Sequence, residues 1–292
     1  MSYYSYFNLI KEPFSTTPDP LFFYLSKTHK KALYRLEISI RLQRGLNVIL
    51  GDVGSGKTTL ARTLINNFAP HEPFEFFLIT DPGTTSEFQF LSSLKKIFKL
   101  PPDTRSLLNY KNSIKDFLYR KNIEEGITPI LIIDEGQKLS SKFLEILRIF
   151  LNYETNNYKL LQLIICAQLE LLPKINKLKN FSDRIVYKTI LEPLDIKDTE
   201  RLILFRLQQA GAKQSKNIFT SNAIKTIHAI SGGLPRKITF YCSECFMHAI
   251  MEERSLIDEE LVKSVITQEK QWEKYNAREK VVYSKDRIRY NV

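Results

Sequence analysis

Gly51, Asp52, Val53, Gly54, Ser55, Gly56, Lys57 and Thr58, followed by Thr59, place glycines, a lysine and a hydroxyl at the spacing G-x-x-x-x-G-K-[ST]. Glycines let a backbone curl until successive N–H groups point inward, which suits the oxygens of a phosphate. A helix starting at that point adds the positive end of its dipole. In such a loop Lys57 reaches the β- and γ-phosphates of a nucleoside triphosphate, and the Thr58 hydroxyl ligates Mg2+.

A second constellation follows downstream, where Ile130-Leu131-Ile132-Ile133 runs straight into Asp134-Glu135. One carboxylate at the end of a buried strand can meet Mg2+, and its neighbour can polarise a water for in-line attack on the γ-phosphate. Asp134 is expected in the metal role and Glu135 in the water-activating role. Gln168 ends the next apolar run, Leu163 to Ala167. If that strand lies between those carrying the loop and Asp134, Gln168 can hydrogen-bond the γ-phosphate or the attacking water.

These groups need a sheet to bring them together. Short β-rich runs at Leu46–Leu50, Phe74–Thr80, Pro129–Ile133, Leu160–Cys166 and Ile185–Ile190 alternate with helical patterns at Thr59–Phe68, Ser86–Phe98, Thr104–Asn122 and Ser140–Tyr153. Alternation of this kind predicts an α/β fold, a parallel sheet with helices on both faces. After Pro193 the pattern is helical only, at Ile196–Ala210, Ser221–Ser231, Arg236–Met251 and Asp258–Trp272. The first 27 residues are rich in proline and aromatics and read as an irregular strap, either covering a nucleotide base or simply packing as an arm. Thr28 is the expected N-cap of a helix running through Arg44, with Gly45 as its terminator.

The chain has 292 residues and a formal net charge of +11, which favours polyanionic partners. Residues 274–292 carry six Lys or Arg against two acids, interleaved with Tyr275, Tyr283 and Tyr290. That tail suits phosphate contacts and base stacking, or docking on a neighbouring subunit. No apolar run has the length of a membrane helix and the first residues lack a signal-peptide layout, so a cytoplasmic protein is expected. Three cysteines give no disulfide framework, and Cys242, Cys245 and His248 fall on one predicted helix rather than forming a four-ligand metal set.

The blocks Phe7-x6-Phe14-x3-Pro18-Asp19-Pro20, Gly51–Thr58, Leu131–Gln137, Ala167–Leu171 and Ser231-Gly232-Gly233-Leu234-Pro235-Arg236 occur in the order found in the ExeA-like AAA+ ATPases. Over roughly residues 3–250 the chain resembles that family, which is itself similar to the TniB/TnsC and MuB transposition ATPases. The resemblance implies a P-loop AAA+ parallel five-stranded sheet flanked by helices and followed by a small all-helical lid. The corresponding domains are a strap and helix packed on the ATPase core (1–45), the nucleotide-binding domain (46–193), the lid (194–273) and the tail (274–292). ATP and Mg2+ are the implied ligands and the form is an ATP-driven oligomer, ring or filament.

By the same resemblance Gln168 matches the sensor 1 position and Arg236 the sensor 2 arginine. Arg184 matches the finger that completes a neighbour's site, with Arg148 and Arg201 as rivals and an ion pair to Asp183 or Glu192 as the alternative. The secretion-linked branch continues into a membrane helix and a peptidoglycan-binding domain, whereas no membrane insertion is expected for this chain. The expected role is assembly on duplex DNA and regulation of a partner such as a transposase or targeting factor. Secretion or pilus assembly with a membrane partner is the alternative. A small-molecule kinase shares the loop but not the Asp134-Glu135 pair, Arg236 and the helical lid.

Overall fold

The computed structural model describes residues 3–17, 19–101, 106–212 and 218–272. The basic, tyrosine-containing tail lies outside them. The chain divides into two compact units, Leu25–Glu192 and a second built from Met1–Tyr24 with Pro193–Val292.

In the first unit, strands β1 (Leu46–Gly51), β2 (Phe74–Ile79), β3 (Thr128–Ile133), β4 (Gln162–Ala167) and β5 (Ile185–Leu191) form one sheet in the order β2-β3-β4-β1-β5. All four pairings are parallel. Helices α1 (Lys27–Arg41), α2 (Lys57–Asn66), α3 (Glu87–Ile97), α4 (Leu107–Tyr119), α5 (Ser141–Phe150), α6 (Leu171–Lys177) and α7 (Lys179–Ser182) complete it. Every residue of β1, β3 and β4 is buried, whereas the edge strands β2 and β5 are partly exposed. Burial on both faces is why the central strands are mostly apolar, with Asn47 inside β1 and Thr128 and Gln162 at the starts of β3 and β4, rather than alternating. Each fully buried Leu or Ile contributes about 1.5–3 kcal/mol.

Helix α1 differs at both ends from its sequence reading. Its N-cap is Ser26, whose hydroxyl accepts the His29 N–H, and not Thr28. It stops at Arg41, and Gln43, at φ 49°, takes the left-handed position expected of Gly45. Gly45 instead leads into β1, its N–H donated to Gln162 Oε1 at 2.7 Å. Of the single helix expected over Thr104–Asn122, residues 104 and 105 lie outside the described residues, and the rest is α4 followed by a π-helical turn, Arg120–Glu124. The buried Asn122 on that turn donates Nδ2 to the carbonyls of Leu118 and Leu160.

The second unit contains α8 (Ile196–Gln209), α9 (Ser221–Ser231), α10 (Pro235–Met251) and α11 (residues 259–272). Its core includes Phe7, Phe14 and Phe22 from the strap. Phe7 and Phe14 sit 4.3 and 5.2 Å, ring centre to ring centre, from Phe246 of α10. The strap was expected on the nucleotide-binding core together with the following helix. The two separate at Tyr24/Leu25, because the strap's rings are buried among α8–α11 while α1 belongs with the sheet. Cys242 and Cys245 lie in the same core, and burial pushes both thiols up, Cys245 to about 12. As uncharged thiols they pack as small apolar groups. Among the described residues no helix is long and apolar enough to cross a membrane.

Candidate active site

The loop after β1 is shaped by glycine where nothing else fits. Gly54 and Gly56 have φ of 81° and 97°. A Cβ on Gly51 would lie 2.6 Å from Ser55 Oγ and 3.1 Å from the Leu191 carbonyl. Gly56 is the N-cap of α2 and brings no side chain, so the helix's leading N–H groups receive no side-chain cap. That leaves a positive helix end facing the loop, the standard setting for an anion.

Lys57 is only 6% exposed, with Nζ donating to the carbonyls of Gly51 at 2.9 Å and Asp52 at 2.8 Å. Burial pushes its ammonium below the ordinary lysine value, against the attraction of Asp134, Glu135 and Asp52. A polyphosphate there would supply the missing counter-charge. Ser55 Oγ is buried without a hydrogen-bond partner among the described residues, a second polar group in the loop suited to a polar ligand.

Thr58 Oγ1 donates to Asp134 Oδ2, so the first turn of α2 and the end of β3 meet side chain to side chain. A hydroxyl and a carboxylate are oxygen donors of the kind Mg2+ takes, and the pair fits that ion. Asp134 is buried, and its Oδ1 accepts the Glu135 N–H at 3.0 Å. Glu135 stands at φ 52°, a left-handed conformation that costs a non-glycine residue on the order of 1 kcal/mol and is commonest where a site needs it.

Gln137 ties the carboxylate to the neighbouring strand. Its Nε2 donates to Glu135 Oε2 at 2.7 Å and its Oε1 accepts the Gln168 N–H at 3.1 Å. Lys174 of α6 holds the same turn, donating Nζ to the carbonyls of Gln137 and Leu139. Sequence reading assigned neither residue a role. Gln137 lies within a motif block, but its two contacts depend on the β3–β4 pairing, and Lys174 sits on a helix that was not foreseen. Gly136 completes the turn because a Cβ there would lie 2.4 Å from Ile165 Cγ2 and 3.3 Å from Ala167 Cβ. Gly136→Ala is therefore expected to lower stability by about 1–3 kcal/mol, read from the urea midpoint; an unchanged midpoint contradicts this packing.

The strand order puts β4 between β1 and β3, so Gln168 follows the strand lying between those that carry the phosphate loop and Asp134. All three sit at the carboxyl edge of the sheet, where open α/β folds hold their ligands. Arg184 does not join them. It precedes β5, whose Ile185 pairs with Leu46 and whose Leu191 pairs with Gly51. Six strand residues at about 3.3 Å each therefore separate Arg184 from its own phosphate loop by about 20 Å. It lines a cavity of about 240 Å³ with Arg44, Leu151, Lys159 and Asp183, and among the described residues makes no ion pair. Of its rivals, Arg148 pairs with Glu145 and Arg201 with Asp198.

Arg236 stands in the second unit, exposed, directly after Pro235 at the start of α10. The turn before it needs glycine, since a Cβ on Gly233 would lie 2.2 Å from the Leu194 carbonyl.

A family profile described as an AAA domain matches residues 40–175. The general secretion pathway protein A of Aeromonas hydrophila is 35% identical over 250 residues, covering 85% of this chain and 45% of that protein. The chain thus spans less than half the length of that relative. Among solved structures, the Aeropyrum pernix ORC1 protein in complex with DNA matches with a TM-score of 0.65 at 14% identity, covering 88% of this chain and 69% of the other. The Thermotoga maritima RuvB Holliday junction branch migration motor matches with a TM-score of 0.53 at 14% identity, covering 82% and 67%. At these identities the structural likeness is one of fold.

Proposed function

The chain belongs to the ExeA-like AAA+ ATPases, and from that premise we propose that it hydrolyses ATP in assemblies of its own copies, each site being completed by Arg184 of a neighbour. The observation that carries this reading is the position of Arg184, without an ion pair among the described residues and about 20 Å along the sheet from its own phosphate loop.

In this mechanism the loop N–H groups and Lys57 hold the β- and γ-phosphates, while residues Gly51 to Thr59 fix their path. Thr58 and Asp134 would hold Mg2+, which when bound offsets phosphate charge. Glu135, oriented by Gln137, takes a proton from the attacking water. Gln168 orients that water or a γ-oxygen. Arg184 of the neighbour donates to the oxygens where charge accumulates in the transition state, and Arg236 reads the γ-phosphate from the helical lid with the paired donors of a guanidinium. Turnover then depends on assembly.

The object of this switch is duplex DNA with a protein partner such as a transposase or targeting factor. Its supports are the net charge of +11, the similarity of the ExeA-like family, read from the sequence motifs, to transposition ATPases, and an Aeropyrum pernix fold relative solved in complex with DNA. The 35% identity to a secretion protein favours a second reading, a membrane-linked partner. Gel retardation of duplex DNA with ATP at low salt separates them. Retardation is expected and should weaken steeply as salt rises, since phosphate contacts release counterions. Unchanged mobility at low salt contradicts the DNA reading and leaves the secretion one.

A further inference from the structure

His29 is buried, 1% exposed, on the first turn of α1, and the hydrolytic mechanism does not use it. Its Nε2 lies 2.9 Å from the carbonyl oxygen of Ser55, inside the phosphate loop, and its Nδ1 lies 2.7 Å from Ser26 Oγ. A carbonyl oxygen only accepts, so Nε2 carries the hydrogen. In the neutral ring Nδ1 is then the acceptor, and the Ser26 hydroxyl donates to it. The same hydroxyl accepts the His29 N–H as the helix cap. The Nδ1 side of the ring is thus fixed by Ser26, whose position is set by the start of α1, and the Nε2 side is left to hold the Ser55 carbonyl.

We propose that His29 is a positioning residue of the phosphate loop, holding the Ser55–Gly56 peptide so that the Gly56 N–H faces the diphosphate of a bound nucleotide. The inference rests on the nucleotide-binding role of the loop and extends it to a residue outside the loop. A peptide unit is planar, and in the trans form its C=O and N–H point to opposite sides. No cis peptide occurs among the described residues, so anchoring the Ser55 oxygen toward α1 turns the Gly56 N–H the other way. The anchor is needed because the loop is glycine-rich. Gly54 and Gly56 both adopt left-handed backbone, and glycine has the largest conformational freedom to lose. A hydrogen bond from a buried, two-point-held ring removes that freedom before the ligand arrives, which is where preorganisation gains affinity.

The test compares ADP affinity of the wild-type protein, His29→Phe and His29→Gln by calorimetry. Phe keeps an aromatic ring without the donor, whereas Gln restores an N–H of similar reach. Loss of one buried hydrogen bond predicts about a tenfold higher Kd for His29→Phe, and within about threefold of wild type for His29→Gln. A folded His29→Phe that binds ADP as wild type does, or a folded His29→Gln as weak as Phe, overturns the proposal. Should the Phe variant not fold, 15N-histidine labelling of the wild-type protein with ADP decides. The Nε2–H tautomer at His29 is expected, and the Nδ1–H tautomer overturns the proposal. Wild-type protein that fails to bind ADP would sink the nucleotide reading itself, a distinct result.

Discussion

Glu135→Gln should reduce ATP turnover by about 10²–10⁴-fold, the usual contribution of a positioned general base, while the affinities for ATP and ADP stay within about threefold. The substitution keeps the side chain's size and leaves an amide oxygen to accept from Gln137 Nε2, so the turn after β3 should survive. Only the ability to take a proton is lost. In the proposed mechanism the phosphate contacts belong to other residues, Lys57 and the start of α2, and the metal would be held by Thr58 and Asp134, which meet side chain to side chain. ATP should therefore bind and persist, trapping the protein in its assembled state, visible as faster sedimentation with ATP than the wild-type protein retains after its ATP is consumed. A turnover rate equal to wild type removes Glu135 from the role of general base.

Arg184→Ala should cost still more, about 10³–10⁵-fold in turnover, the scale of an arginine supplied to a phosphoryl transfer from outside the site. Its nucleotide affinity is expected to match wild type, because Arg184 lies at the amino edge of the sheet and the phosphate loop at the carboxyl edge. Arg184→Lys should not restore activity, since an ammonium lacks the fixed fork that pairs with phosphate oxygens. Loss of nucleotide affinity in step with turnover would place Arg184 in its own site and contradict the separation that the strand register imposes.

The five strands were legible because each is a short run rich in β-branched, aromatic or aliphatic residues, and the central ones, covered on both faces, are mostly apolar. The loop at Gly51–Thr58 and the pair Asp134-Glu135 stand out in the sequence because phosphate and metal chemistry restrict residue type and spacing together, and the fold brings the two together through Thr58 and Asp134. Other features depend on partners distant in sequence. Gln137 looks like an ordinary turn residue until β3 and β4 pair and bring it to Gln168. His29 gave no signal at all, since its reach to Ser55 exists only once α1 lies beside the loop. Helix α6 is seven residues with Pro173 in its first turn, too short for a periodic pattern to show. The strap's aromatic residues announced burial without saying in which core, and its rings are buried in the helical unit rather than on the sheet. Ser26 and Thr28 are both plausible caps by type, and only the backbone of α1 selects Ser26.

The central claim is that one copy supplies Arg184 to the nucleotide of another, and mixing two inactive variants tests it most directly. Lys57→Ala retains Arg184 but loses its hold on phosphate, whereas Arg184→Ala binds nucleotide but offers no finger. Each alone should be nearly inactive. An equal mixture should recover turnover, up to about a quarter of the wild-type rate if copies associate at random through a head-to-tail interface. A co-sedimenting mixture whose rate is only the sum of its two separate components would contradict completion of the site in trans.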